Sequence, residues 1–151
     1  MQQRLDLAAN APAIAPKLYA LNDAIENSSI SKTLLHLVKM RASQINGCAY
    51  CLNIHSAEAI KDGDTHQRYH VLAAWHESTL FTPAERAALA WTDALTQIST
   101  QDASDALYTE LTKHYSETEI AELTLLINMI NFWNRVAISS RMVHPSEAKA
   151  A

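Results

Sequence analysis

The fold and chemistry of this chain centre on one stretch, Asn46-Gly47-Cys48-Ala49-Tyr50-Cys51-Leu52-Asn53-Ile54-His55. Both cysteines of the sequence lie here, separated by two residues, and His55 follows one helical turn after the second. The Asn46-Gly47 pair is typical of a helix end, because glycine accepts the left-handed backbone conformation that most helix C-termini require. We therefore expect one helix to end at Gly47 and another to begin at about Cys48.

The predicted second helix brings the two thiols and the imidazole together. Cys48, Cys51 and His55 stand at positions i, i+3 and i+7, which share one helix face. In the first turn, unpaired backbone N–H groups and the positive end of the helix dipole favour an anion, and a thiolate is an anion. The spacing therefore predicts redox chemistry by the cysteine pair.

The composition favours an all-α protein. Only Gly47 and Gly63, together with four prolines, interrupt 151 residues of which 48% are hydrophobic. A β-sandwich would need many more turn signals than this chain contains. The length fits one domain that is large enough to bury a core.

Charge and hydropathy limit the partners. The net charge of −4 comes without a basic run, which argues against nucleic acid. The first residues lack the apolar segment of a signal peptide, and no segment approaches the roughly 18–20 apolar residues of a membrane span. We therefore expect a cytoplasmic protein with no membrane partner. In a reducing cytosol, a CxxC pair is more often catalytic, redox-active or metal-binding than structural.

Apolar periodicity and capping signals predict seven helices. Ser31 is a candidate N-cap, and Thr82, Pro83 and Glu85 form a typical helix start with a capping box. The last helix has apolar side chains almost all round, so we expect contact with another subunit. The predicted helices cover residues of about 12–26, 31–45, 48–62, 65–75, 83–98, 104–114 and 116–143.

Residues 36–51 together with His55 resemble the core of the AhpD-like alkylhydroperoxidases, within the carboxymuconolactone decarboxylase superfamily. A bare CxxC would be a weak sign, but the lead-in ArgAlaSerGlnIleAsnGly over residues 41–47 makes the likeness specific. It continues through residues 81–91 and 131–135 and spans roughly residues 15–143. The resemblance implies a single all-α domain over residues 1–151, with six to seven helices and a long C-terminal helix, that assembles into homo-trimers or homo-hexamers.

The resemblance also implies an activity, namely reduction of alkyl hydroperoxides in antioxidant defence by the cysteine pair. It assigns the attack to Cys51, resolution to Cys48 and part of a proton relay to His55, with no cofactor and no metal. Electrons would return from a dithiol reductant, such as a lipoyl or thioredoxin-like protein. The helix-terminus argument instead favours Cys48 as the attacking thiol, so the choice between the two sulfurs stays open.

One position departs from the family pattern. Members carry a relay glutamate twelve residues before the first cysteine, and this chain has His36 there. A histidine can accept a proton near neutral pH, since its ordinary pKa is about 6.5, but it supplies no permanent negative charge. His36 is therefore a candidate relay residue, and we expect His36→Glu to preserve or raise peroxidase activity.

Two other interpretations concern the same residues. Cys48, Cys51 and His55 could be three ligands of a tetrahedral zinc ion, with His36 as the fourth. Alternatively, the pair could be a non-catalytic redox switch in an oligomeric interaction protein. His66 and His70, at i and i+4, have metal-compatible spacing, but a solvated helix face explains them better.

Polar residues also interrupt the last helix. Buried amides need hydrogen-bond partners, so this seam predicts either a network between helices or subunits, which we favour, or the wall of a pocket. Trp75, Trp91 and Trp133 are expected in the core or at an interface. The seam consists of Asn128, Asn131, Asn134 and Arg135.

Overall fold

Eight α-helices and one 3₁₀ turn make up the regular structure of residues 2–144, the part of the chain that this computed structural model describes. No strand occurs in these residues, which confirms the all-α prediction. The 3₁₀ turn spans Leu72–Ala74. The helices are α1 (Leu7–Asn10), α2 (Ala15–Glu26), α3 (Lys32–Asn46), α4 (Ala49–Lys61), α5 (His66–Val71), α6 (Pro83–Thr96), α7 (Asp105–Thr112) and α8 (Glu117–Ser140).

The structure differs from the sequence prediction at helix ends. Helix α1 was not predicted, because it has no buried residue and so no apolar periodicity. It begins at Leu7 because the Asp6 side chain accepts the backbone N–H of Ala9 at 3.0 Å. Helix α6 ends at Thr96, so Ile98 lies beyond it and is 64% exposed. Helix α8 ends at Ser140 and not near Val143, because Arg141 adopts the left-handed conformation.

The predicted capping residues act as helix starts. The Ser31 hydroxyl accepts the backbone N–H of Leu34 and begins α3. Thr82 and Glu85 form a capping box at α6. A second box, which the sequence had not led us to predict, is formed by Ser116 and Glu119 at the start of α8. These side chains accept backbone N–H groups that have no partner within the first turn of a helix.

Helix α3 lies at the centre and packs against α4, α6 and α8. Leu35 and Val38 join a core cluster with residues of α6 and α8, whereas Leu37 packs against Leu72 and Leu89 on another side. A helix that is buried on several sides is held rigidly by its neighbours. The C-terminal end of α3 therefore fixes where the cysteines that follow it lie.

The apolar surface of α8 is only partly covered within one chain. Leu123 and Ile127 are fully buried, whereas Leu125 is 53% and Ile138 is 47% exposed. The contact with another subunit that we predicted for this helix stays a prediction. Among residues 2–144, no helix combines the length and the apolar character that a membrane span requires.

Candidate functional site

The turn between α3 and α4 places the first cysteine. Gly47 has φ 67°, the left-handed conformation expected at a helix C-cap. The backbone N–H of Gly47 donates to the Gln44 carbonyl at 3.3 Å, and that of Cys48 donates to the Ser43 carbonyl at 3.0 Å. The predicted helix break is thus confirmed, and Cys48 is anchored to the last turn of α3.

Cys48 is the N-cap of α4, one position before the first turn in which we expected it. Its Sγ accepts the backbone N–H of Cys51 at 3.3 Å. The two side chains form a disulfide, with Cα atoms 5.4 Å apart. Both residues are buried, with 1% and 4% of their surface exposed. The pair is therefore a preformed dithiol–disulfide unit at a helix N-terminus.

An amide network joins this turn to α8. The Asn46 side-chain amide donates to Asn131 Oδ1 at 2.9 Å and to Asn134 Oδ1 at 2.8 Å. The Asn134 amide in turn donates to the Ser43 hydroxyl at 3.0 Å. Two residues of the predicted seam, Asn131 and Asn134, thus belong to a hydrogen-bond network between helices, the first of the two alternatives, and this network fixes the end of α3. Among residues 2–144, the other two, Asn128 and Arg135, donate hydrogen bonds only within α8.

A cavity of about 260 Å³ adjoins the second cysteine. Cys51 and His55 both line it, so the structure brings these two predicted residues together at one surface. The rest of the lining is mainly aromatic and apolar. It includes Tyr19, Asn22, Glu26, Tyr50, Ile54, Trp133 and Met142.

Trp133 forms one wall of this cavity. Its indole ring stacks on the Tyr19 ring with centroids 5.6 Å apart and planes 10° from parallel, and its N–H donates to Asn22 Oδ1 at 2.9 Å. The sequence indicated a core or interface role for all three tryptophans. Trp75 and Trp91 are buried as expected, and Trp133 packs against the core while it also lines this cavity.

His55 has a carboxylate partner that the sequence analysis missed. His55 Nδ1 lies 2.8 Å from Glu58 Oε2. This hydrogen bond, aided by the charge of His55, lowers the pKa of Glu58 although burial opposes it. An ionised Glu58 accepts, so Nδ1 carries the hydrogen and Nε2 is the basic nitrogen of the neutral ring. The i, i+3 spacing of the two residues on α4 was the available signal.

Glu26 is a second carboxylate that the sequence analysis missed. It comes from α2, lines the same cavity and pairs with the buried Lys39 ammonium. Burial would raise the pKa of Glu26, but the hydrogen bond and charge of Lys39 and a 3.1 Å hydrogen bond from Asn22 outweigh it and lower the pKa. The cavity is therefore lined by a residue whose carboxylate stays ionised and is paired with a lysine ammonium.

The structure places His36 outside the lining of this cavity. His36 is 4% exposed, and its Nε2 lies 2.8 Å from Asp62 Oδ2 at the far end of α4. That hydrogen bond lowers the pKa of Asp62. The histidine that replaces the family glutamate thus contacts a different carboxylate, and the carboxylate beside His55 is supplied by α4.

The pair formed by His66 and His70 lies on helix α5. His66 and His70 are exposed and lie with ring centroids 6.2 Å apart, consistent with a solvated face. Among residues 2–144, no three His, Cys, Asp or Glu side chains are arranged to hold a metal ion. The zinc interpretation therefore gains no support from this part of the chain.

The fold and the cysteine pair agree with the family that the sequence comparison identifies. Residues 12–94 match the carboxymuconolactone decarboxylase family. The chain belongs to this family, and within it the protein is AhpD-like.

Relatives extend this result over the whole chain. The uncharacterized protein YdfG of Bacillus subtilis is 38% identical over 139 residues, which cover 92% of this chain and 95% of YdfG. ATU0492 from Agrobacterium tumefaciens, a protein of unknown function provisionally described as the antioxidant defence protein AhpD, has 38% identity and a TM-score of 0.93 over 97% of this chain and 100% of its own. The debrominase Bmp8 has 24% identity and a TM-score of 0.82 over 91% of this chain and 74% of its own, and shows the fold alone.

Proposed function

We propose that this protein is a CxxC-dependent hydroperoxide reductase that recycles its cysteine pair with a dithiol. The observation that carries the proposal is that Cys51 and His55 line one cavity, beside a disulfide already formed with Cys48. A thiol that is close to a base and accessible from an apolar pocket is suited to attack an organic peroxide. Membership of an AhpD-like family supports the same activity.

The oxidative steps use only residues of this site. His55 Nε2 takes the proton of the Cys51 thiol, and the thiolate attacks the outer oxygen of the hydroperoxide. The O–O bond breaks, the alcohol leaves with the proton from His55, and Cys51 becomes a sulfenic acid. The Cys48 sulfur then attacks Cys51 Sγ, water leaves, and the disulfide forms.

The two cysteines have different surroundings, which supports different roles. Cys51 lines the cavity with His55, so it is the sulfur that meets the peroxide. Cys48 Sγ accepts a backbone N–H at the start of α4, where the positive helix end favours its thiolate as the resolving nucleophile. This assignment of the two roles is part of the proposal.

The predicted partners and assembly belong to the same proposal. A lipoyl or thioredoxin-like dithiol would return the electrons, and the exposed Leu125 and Ile138 on α8 support assembly into homo-trimers or homo-hexamers. The cytoplasmic location predicted from the sequence stays a prediction.

A peroxidase assay with cumene hydroperoxide and a dithiol tests the function. We expect wild-type turnover, its loss in Cys51→Ser, and in Cys48→Ser a single turnover that leaves a sulfenic acid on Cys51, detected with a dimedone probe. One equivalent of peroxide should remove both thiols of the reduced wild-type protein without linking chains. Unchanged turnover in Cys51→Ser would overturn the proposal.

A further inference from the structure

A second cavity meets the disulfide on the Cys48 side. Its volume is about 250 Å³, and Cys48 lines it together with Gly47 and Arg141. Of these two cavities, Cys51 lines the first and Cys48 the second, whereas Tyr50, Ala137 and Met142 line both. Each sulfur therefore has its own approach, and the shared side chains stand between the two.

The charges of the two cavities differ. Glu26, whose carboxylate has a lowered pKa and pairs with Lys39, lines the first cavity, and the cationic residue Arg141 lines the second. The Arg141 residue is exposed, and within residues 2–144 its guanidinium has no hydrogen-bond or ion-pair partner. A guanidinium beside a reactive sulfur is suited to bind an anionic ligand.

The backbone at Arg141 is a second observation. Arg141 has φ 52° and ψ 49° at the C-terminal end of α8, and it is the only non-glycine residue with positive φ among residues 2–144. Glycine is the preferred residue for this helix-ending conformation, and other L-residues adopt it at a cost. The backbone conformation therefore does not favour an arginine here, and this residue is one of those that line the Cys48 cavity.

We propose that the reductant enters through the Cys48 cavity and that Arg141 binds a negatively charged group on it. The inference rests on the proposed function and specifies its reducing substrate, a slender dithiol that carries an anionic group. The sulfur-bearing residues are only 1% and 4% exposed, so the attacking thiol must reach Cys48 on a narrow arm. Hydroperoxide and reductant then use different openings.

The reductive steps balance on this route. A reductant thiolate attacks Cys48 Sγ, the Cys48–Cys51 bond breaks, and Cys51 leaves as a thiolate that takes a proton in the cavity it shares with His55. The second thiolate of the reductant then attacks the reductant's first sulfur, which is bonded to Cys48 in the mixed disulfide. Cys48 leaves as a thiolate at the N-terminus of α4, and the reductant departs as a cyclic disulfide, having supplied two electrons.

Dihydrolipoate and dihydrolipoamide form a matched pair of probes, because both carry the same dithiol. Dihydrolipoate ends in a carboxylate, whereas dihydrolipoamide ends in a neutral amide. Each is mixed with the oxidised full-length protein, and protein thiols are trapped by alkylation and counted by mass spectrometry over time. We expect dihydrolipoate to react faster by about two- to fivefold at low salt, in line with an exposed ion pair, and the advantage to fall as ionic strength rises.

Variants of Arg141 identify the cause of that preference. Arg141→Gln should slow reduction by dihydrolipoate and leave reduction by dihydrolipoamide unchanged. In Arg141→Glu, reduction by dihydrolipoate should become slower than reduction by dihydrolipoamide. Arg141→Gly suits the left-handed backbone, so a loss of preference in this variant cannot be attributed to misfolding. Lys17→Gln removes the same charge from an exposed position of α2 that lines neither cavity, and it should keep the preference.

The outcomes separate this inference from the proposed function. The role of Arg141 would be overturned if dihydrolipoate and dihydrolipoamide reduced the wild-type protein at equal rates. It would also be overturned if Arg141→Gln slowed reduction by the two probes to the same extent. Mercaptoacetate provides a mapping probe, since a monothiol adduct found on Cys51 and not on Cys48 would overturn the route. If the protein prefers dihydrolipoate but consumes no hydroperoxide, the entry of the reductant through the Cys48 cavity is supported and the proposed peroxidase activity is overturned. If neither probe reduces the disulfide, both proposals fail.

Discussion

His55 Nδ1 lies 2.8 Å from Glu58 Oε2, one helical turn further along α4. The family pattern would supply a relay carboxylate from α3, but His36 occupies that position and contacts Asp62. In this chain the carboxylate beside the motif histidine comes from the helix that carries the histidine itself. Both partners are thus held by one rigid element.

Glu58→Gln should lower peroxidase turnover. The amide has no charge and can present its NH₂ group to Nδ1, which removes the acceptor that fixes the tautomer of His55. We expect turnover to fall about tenfold. At metal sites, removing a group that orients a histidine by a hydrogen bond has an effect of about this size or larger. Glu117→Gln, at an exposed position in the first turn of α8, is the control. Equal steady-state rates for the two variants would contradict a role for Glu58.

The same contact should make stability depend on pH. The pKa of Glu58 is lowered from its ordinary 4.5, so the stabilisation from ionised Glu58 is present above pH 4.5 and is lost as pH falls through the lower folded-state pKa. Wild type should melt above Glu58→Gln at pH 7, and the difference should shrink below pH 4.5. Because Glu58 is half-exposed, the difference is small. Melting curves from pH 7 to 3 measure it, and a difference that grows in acid would contradict the sign.

The stacked Tyr19 and Trp133 rings should select bulky organic hydroperoxides. Tyr19→Ala removes one aromatic surface of the cavity, worth about 0.5–1.5 kcal/mol, so KM for cumene hydroperoxide should rise about two- to twelvefold. KM for hydrogen peroxide should change little, because that molecule has no ring to contact. Tyr19→Phe keeps the ring and should behave as wild type. Equal increases in KM for both peroxides would show that Tyr19 acts on the chemistry and not on selectivity.

The amide network should stabilise the turn before the cysteines. In Asn46→Ala, the fully buried Asn134 Oδ1 loses the Asn46 donor, and we expect a loss of about 1–3 kcal/mol in the free energy of unfolding. Asn128 donates only to the Thr124 carbonyl of its own helix and is exposed, so Asn128→Ala should stay within about 0.5 kcal/mol. Urea unfolding followed by circular dichroism compares the two, and equal values would contradict the network's role.

The structure revises the expectation for His36→Glu. From the family pattern this substitution would restore the relay and preserve or raise activity. In the fold, however, a glutamate at this buried site would face Asp62, which loses its hydrogen-bond donor. Like charges repel, so we now expect a melting temperature lower than that of wild type and of His36→Gln, with no gain in turnover. A more active and equally stable His36→Glu protein would restore the original expectation.

Local patterns were sufficient for the backbone of the site. The Asn46-Gly47 signal predicted the end of α3 because only local conformation is needed to end a helix, and the capping box at Thr82 was predicted for the same reason. The spacing of Cys48 and Cys51 likewise determined that the two sulfurs could meet, since the residues lie within one turn.

What the sequence by itself determined was therefore the all-α class, the helix break and the cysteine pair, all set by residues a few positions apart. Only the tertiary structure decided what surrounds that pair. Glu26 from α2 and Trp133 from α8 line the Cys51 cavity, and Arg141 lines the Cys48 cavity, because packing around α3 brings distant helices together. No periodicity within one helix records which neighbour will face it, so the charges and rings that distinguish the two sulfurs appear only in the folded chain.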